Sequence, residues 1–309
     1  MPLYLTEADV GGLLAPVDAL EAIEECFQRM ARGAVQNRPR DRIQVEGATL
    51  ATMAAVDTEL ELAGTKSYAW TGSATSFVVV LFDLARGDVA ALIEADKLGQ
   101  LRTGAASGVA ARHLAKTDAK TLGVLGCGRQ AETQVACIRE ACPTVEQVVA
   151  YCRNEERLTD FCNRVGADAA ETHRDAGEQE IVVTVTTSKD PVLRGEWLRQ
   201  GALVCAVGAN RPGARELDNA VLERAAFVCC DSREQARLES GDLIEPIQQG
   251  LLDWLEVHEL HEVVAGEIRG RETDEDIVVF KSNGLAAWDV AIGATAIERA
   301  VAAGVGLKL

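Results

Sequence analysis

Hydrophobic and polar positions divide the chain into stretches of different rhythm. Over residues 16–32 the apolar side chains Val17, Leu20, Ile23, Phe27 and Met30 recur at spacings of three and four, which predicts an amphipathic helix. From residue 42 to residue 89 the pattern becomes strand-like, with 51–56, 62–70 and 77–82 as candidate strands. Asp83-Leu-Ala-Arg-Gly87-Asp88 reads as a hairpin turn returning through 89–94. This antiparallel block precedes any strand–helix alternation, so it is expected to form its own domain. Residues 96–115 predict a long helix rich in small side chains (Thr103-Gly-Ala-Ala-Ser-Gly108).

Beyond it, strands at 122–125, 145–151, 181–186, 203–207, 227–231 and 277–282 alternate with helices at 130–142, 155–164 and 219–224. That alternation predicts a doubly wound α/β domain from about residue 118 to 282. A final helix over 286–303 is expected to return to the first domain. The expected division is therefore 1–115 with 286–309 as a discontinuous α+β substrate and dimerisation domain, and 116–285 as the second domain.

Composition narrows the partners. A chain of 309 residues with 48% hydrophobic and 26% charged residues is a globular composition. The net charge of −17 argues against nucleic acid and anionic membranes as partners, while a local Arg and Lys cluster still suits a small anion. The nine cysteines contain no C-x-x-C pair, which argues against a zinc ribbon or thioredoxin-type motif and fits a reducing compartment. Met1-Pro-Leu-Tyr-Leu-Thr-Glu7 has neither the basic nor the apolar part of an export signal, and no apolar run reaches membrane-spanning length. The expectation is a cytoplasmic protein.

The most specific local motif is Thr121-Leu-Gly-Val-Leu-Gly126-Cys-Gly128-Arg129-Gln130-Ala131. A strand runs into Gly-x-Gly-x-x-Ala, a helix follows, and a second strand comes next. This is the dinucleotide-binding unit of a Rossmann-type domain, with Gly126 for the turn, Gly128 for close approach of a pyrophosphate and Ala131 for packing of the helix. NAD-specific units usually place Asp or Glu about 20 residues on, against the ribose hydroxyls. Tyr151-Cys152-Arg153-Asn154 offers a guanidinium there instead, which favours NADP(H), with NAD(H) the alternative. Thr184 and its neighbours to Thr187, and Ser282 in Phe280-Lys-Ser-Asn-Gly284, end strands on the side where such ligands bind. His258-Glu-Leu-His261 lacks the zinc-protease spacing and reads as a polar surface segment; no metal-ligand set stands out.

Arg38-Pro-Arg40, Gly64-Thr-Lys66, Leu101-Arg-Thr-Gly-Ala-Ala106, Gly126-Cys-Gly-Arg-Gln-Ala131, Val207-Gly-Ala-Asn210-x-Pro212, Glu216-Leu-Asp218, Glu239-Ser-Gly-Asp242 and Phe280-Lys-Ser-x-Gly284 occur in one order over nearly the whole chain. In this combination the chain resembles the ornithine cyclodeaminase/μ-crystallin family, on its ketimine reductase-like side. The resemblance implies a homodimer acting on a small imino or amino acid with a nicotinamide cofactor. It implies that Arg40 grips the substrate carboxylate, with Arg102 a second contact, and that Lys66 approaches the α-carbon substituents. A lysine tuned by burial and by arginines exchanges a proton near neutral pH.

At Asn210 the ornithine cyclodeaminases carry an aspartate. An amide does not act as a base near neutral pH, so the deaminating cycle is not expected, whereas hydride transfer to C=N needs no carboxylate there. The expected activity is NAD(P)H-dependent reduction of a cyclic imino acid, such as Δ1-pyrroline-2-carboxylate or Δ1-piperideine-2-carboxylate, to the L-amino acid. Alternatives are ornithine or lysine cyclodeaminase, an acyclic alanine-type dehydrogenase, and a μ-crystallin-like NADPH- and ligand-binding protein.

Overall fold

The computed structural model describes all 309 residues. A short strand, β1 (Leu3–Leu5), leads into α1 (Glu7–Leu13), whose first turn is closed by reciprocal hydrogen bonds between Thr6 and Asp9. The amphipathic segment forms α2 (Pro16–Ala31), with Pro16 in its first turn and Leu20, Ile23 and Phe27 buried. An antiparallel meander follows: β2 (Val35–Val45), β3 (Ala48–Asp57), β4 (Leu62–Trp70), β5 (Thr75–Asp83) and β6 (Asp88–Glu94).

Strand β2 starts well before residue 42, where strand pattern was first expected. It is the edge strand, its register slips between Arg38 and Asp41, and its polar residues are not confined to one face. Pro39 has no N–H to give a ladder, so the slip at this point is a bulge that an edge tolerates.

Helix α3 (Asp96–Leu114) comes next. The chain divides within it, into one unit of Met1–Arg102 with Gly284–Leu309 and a second unit of Thr103–Asn283. The division therefore falls after Arg102 rather than at residue 115, because one continuous helix serves both units.

The second unit contains β7 (Thr121–Leu125), α4 (Ala131–Ala141), β8 (Gln147–Tyr151), α5 (Glu155–Val165), β9 (Asp168–Ala169), α6 (His173–Gly177), β10 (Ile181–Thr184) and β11 (Leu203–Ala206). It continues through α7 (Asn219–Arg224), β12 (Ala225–Cys230), α8 (Arg233–Glu239), α9 (Gly241–Gln248), β13 (Val257–Glu259), α10 (Leu260–Val264) and β14 (Ile277–Lys281). The eight strands are parallel, in the order β13-β12-β14-β11-β10-β7-β8-β9. Every residue of β10, β11 and β14 is buried, as expected of a parallel sheet covered on both faces. From β7 the chain builds outward through β8 and β9, then crosses to β10 on the other side. That reversal opens a crevice at the carboxyl ends of β7 and β10.

The chain then returns to the first unit as α11 (Ala286–Ala303) and β15 (Leu307–Lys308). Strand β15 completes a seven-stranded sheet, β15-β1-β6-β5-β4-β3-β2. Helix α11 lies on α2, β3 and β4, with Trp288 edge-on to Phe27 at 5.6 Å between ring centroids. No helix is long and apolar enough to cross a membrane.

Candidate functional site

Strand alternation points Lys66 inward from β4, where it is 3% exposed. Its Nζ lies 2.9 Å from Asp289 Oδ1, and Arg102 Nε lies 3.4 Å from the same oxygen. Asp289, in the first turn of α11, is 1% exposed, and its Oδ2 accepts no hydrogen bond. Two cations thus share one oxygen of a buried carboxylate.

The β2 bulge brings Arg40 close enough for its charge to act on Lys66 as well. Burial, then the charges of Arg102 and Arg40, lowers the Lys66 ammonium from 10.5 to about 8, against the opposing pull of Asp289. Aromatic faces support the cations: Phe77 lies 5.7 Å from Lys66 Nζ, and the Trp288 ring lies 5.6 Å from the Arg102 guanidinium carbon. Room for the lysine tip comes from Gly99 in α3, where an added Cβ would stand 2.8 Å from Nζ. The expected residues Arg40, Lys66 and Arg102 are therefore brought together.

Sequence reasoning missed Asp289. Its signal is an acid within Ala286-Ala-Trp-Asp-Val-Ala-Ile292, a run buried on every side.

In the second unit, Gly126 turns the chain with φ +112°, and a Cβ there would stand 2.6 Å from the Val185 carbonyl oxygen. Its N–H donates to the Tyr151 carbonyl at 2.9 Å, tying the turn to the end of β8. The turn borders a cavity of about 490 Å³ lined by Gly126, Gly128, Cys152, Arg153 and Asn154, with Thr186, Thr187 and Ser188 opposite. Arg129 and Gln130 carry the turn into α4, whose first residue, Ala131, is buried.

No side chain caps α4, whereas Asn154 caps α5 and Thr172 caps α6. The Ala131 N–H donates to the Gly128 carbonyl at 3.0 Å, and with no side-chain cap the N–H groups of the next two residues are open to an anion. Neither Glu155 nor Glu156 pairs with the exposed Arg153, and Arg157 adds a second guanidinium that sequence reasoning missed. Arg157 lies in the first turn of α5, four positions after Arg153, and this second cation close behind the first was the signal in the sequence. The open turn, the uncapped helix and two arginines fit a dinucleotide phosphate chain.

Two expected cofactor residues are turned elsewhere. Thr184 is fully buried, and its hydroxyl donates to Glu216 Oε2 at 3.0 Å. Ser282 is 1% exposed, and its hydroxyl donates to Asp231 Oδ2 at 3.3 Å. Neither is in the cavity lining.

The segment bearing Asn210 is held from two sides. Glu216 accepts from the N–H groups of Gly208 at 2.6 Å and Ala209 at 3.2 Å, and also from the Thr186 N–H at 2.6 Å. Lys281 donates to the Ala209 carbonyl at 2.6 Å and pairs with Asp242 at 3.0 Å, both side chains fully buried. His258, expected in a polar surface segment, lies partly exposed in β13 at the edge of its sheet and stacks on Phe227 at 4.9 Å. The flanking Val257 and Leu260 supply the buried face that makes this segment a strand and a helix.

Known proteins resemble this chain over most of its length. A Δ1-pyrroline-2-carboxylate reductase of Bacillus cereus is 38% identical over 75% of this chain and 73% of its own length. The solved Δ1-pyrroline-2-carboxylate reductase of Thermococcus litoralis, in complex with NADH and L-proline, superposes with a TM-score of 0.93 at 31% identity, covering 99% of this chain and all of that one. An archaeal alanine dehydrogenase dimer with bound NAD gives a TM-score of 0.93 at 32% identity, covering 100% of this chain and 98% of that one. The model of the ornithine cyclodeaminase/mu-crystallin family matches residues 2–304. The chain belongs to the ornithine cyclodeaminase/mu-crystallin family.

Proposed function

We propose that this protein is an NAD(P)H-dependent imino-acid reductase that converts a small cyclic ketimine carboxylate, such as Δ1-pyrroline-2-carboxylate, to the L-amino acid. The carrying observation is Lys66, buried beside Asp289 and Arg102 and lowered to about 8, where an ammonium gives up a proton under physiological conditions. Arg40 and Arg102 hold the substrate carboxylate, for which a guanidinium is the bidentate partner. Lys66 donates its proton to the imine nitrogen and recovers one from solvent. Asp289 fixes the ammonium between these events.

Gly126, Gly128, Arg153, Asn154 and Thr186 would hold the dinucleotide, with the N-terminus of α4 at its phosphates. The hydride for the imine carbon would come from a nicotinamide held there. Arg153, unpaired and exposed on the cavity, supports NADP(H) over NAD(H). The amide of Asn210 supports reduction rather than deaminating cyclisation.

The same reading makes the unit bearing Lys66 the substrate domain and the chain a cytoplasmic homodimer. Ile43 and Val45, exposed on the edge strand β2, and Leu50 beside Ile43 on β3 supply an apolar surface for a second copy, as in the dimeric archaeal relative.

A second reading is an acyclic amino-acid dehydrogenase, favoured by the full-length likeness to the alanine dehydrogenase. One screen separates the two: purified protein with NADPH or NADH, offered Δ1-pyrroline-2-carboxylate, Δ1-piperideine-2-carboxylate, or pyruvate with ammonia. Cofactor oxidation with a cyclic ketimine and little with pyruvate is the expected result. Turnover with pyruvate alone supports the dehydrogenase, and no turnover with any of them refutes both.

A further inference from the structure

We propose that His173 joins Arg153 and Arg157 in binding the 2′-phosphate of NADP(H), and so makes the preference for NADP(H) over NAD(H) depend on pH. This rests on the NADP(H) reading above and extends it. His173 opens α6 immediately beyond β9, the strand beside β8. Its ring packs on Tyr151 at 4.2 Å between centroids, and both rings lie in the lining of the cavity that holds Arg153 and Arg157. Burial and the charge of Arg153 hold the imidazole below its ordinary value, so it is neutral at pH 7 while the site holds no anion.

The groups around the ring leave this balance to the ligand. Strand β7 brings no ionisable residue, β8 brings only Tyr151, the segment after β8 brings Cys152 and Arg153, and α5 brings Arg157. On α6 itself, Arg174 is paired with Glu178 and Asp175 is held by Thr172. Asp168 of β9 accepts from Gln147, and Asp190, the remaining carboxylate of the cavity lining, makes no ion pair with His173. A phosphate set among His173, Arg153 and Arg157 reverses the local field and raises the imidazole, which takes up a proton as the ligand binds. NAD(H) has only a hydroxyl at that position and brings no such charge.

The test is calorimetric titration of NADP+ and NAD+ into the full-length wild type, His173→Gln and Arg153→Ala, between about pH 5.5 and about pH 8. The phosphate itself gains a proton near pH 6 in every variant, so the difference between wild type and His173→Gln isolates the histidine. In wild type the ratio of the NAD+ to the NADP+ dissociation constant should rise on acidification by about three- to tenfold more than in His173→Gln, one unit of pKa shift being tenfold. Proton uptake on NADP+ binding, read in buffers of different ionisation enthalpy, should also be larger in wild type.

Equal pH dependence and equal proton uptake in the two proteins overturn the assignment of His173. If Arg153→Ala selectively weakens NADP+ while that equality holds, only the histidine's part fails. If Arg153→Ala weakens NADP+ and NAD+ alike, the NADP(H) reading falls, and this inference with it.

Discussion

The two arginine-bearing sites of this chain are built in opposite ways. In the first unit, Arg102 and Lys66 are nearly excluded from water and share one carboxylate oxygen of Asp289. In the second, Arg153 stands exposed with no carboxylate partner, beside an open glycine turn and an uncapped helix. Burial makes a charge expensive and therefore tunable, which is what proton transfer needs. Exposure leaves the charge fixed and gives a phosphate a landing point at small desolvation cost. One site is suited to chemistry and the other to recognition, so lesions in them should be visible in different kinetic parameters.

The largest effect is expected from Lys66→Met. Loss of a positioned general acid should reduce kcat for imine reduction by about 100- to 10,000-fold, with little change in cofactor affinity. Asp289 keeps Arg102 as a partner, so the variant should fold, as circular dichroism would check. Arg153→Ala should do the reverse. It should raise KM for NADPH by about ten- to hundredfold, the worth of charge-assisted hydrogen bonds, and leave kcat and the KM for NADH near wild type. Steady-state kinetics of both variants with both cofactors would break the contrast if the two changed the same parameter.

How readable each site was from the amino-acid order follows from the same difference. The cofactor turn is a local object: strand, Gly126, Gly128 and helix occupy one short run, and the second strand with Arg153 soon follows. The helix at α2 and the β4–β6 meander were equally plain, because their periodicities are complete within a few turns or residues. The Lys66–Asp289 pair spans 223 positions in sequence, and nothing local announces it. Strand β2 was blurred by Arg38-Pro-Arg-Asp-Arg42, since an edge strand needs no clean alternation and tolerates a proline. Helices α8 and α9 were unread because each is short and α9 holds Pro246. Thr184 and Ser282 were placed at the cofactor because they end strands on the ligand side. Whether a strand-end hydroxyl faces ligand or core depends on a partner such as Glu216, a long way off in sequence.

A pH profile sharpens the comparison at a smaller scale. Because Lys66 loses its proton near 8, imine reduction should hold at lower pH and decline as pH rises through that value, while the reverse oxidation gains over the same range. Asp289→Asn removes the charge that opposes this lowering, so the decline should move to lower pH by one to two units. At pH 7 that takes the protonated fraction of Lys66 from about nine-tenths to between about a half and a tenth, a cost of about two- to tenfold in reduction. The profile with Arg153→Ala should keep its wild-type midpoint, since that arginine acts on the cofactor. A midpoint that Asp289→Asn leaves in place would sever the carboxylate from the lysine's titration.

The mildest probe is Gly99→Ala, which alters geometry without touching a charge. In α3 the added methyl favours the helix by up to about 1 kcal/mol, so thermal stability should hold or rise slightly. Its Cβ would stand 2.8 Å from Lys66 Nζ, closer than a carbon and an ammonium tolerate, and the flexible lysine tip is what yields. A displacement of a few tenths of an ångström leaves Lys66 buried but loosens its contact with Asp289 and its aim at the imine. The expected outcome is a fall in kcat of about three- to tenfold, from misplacement alone, with cofactor KM unmoved. A fully active Gly99→Ala would mean that the lysine works from a position other than the one it holds against Asp289. A loss of stability would mean that the space beside Gly99 belongs to helix packing rather than to the lysine.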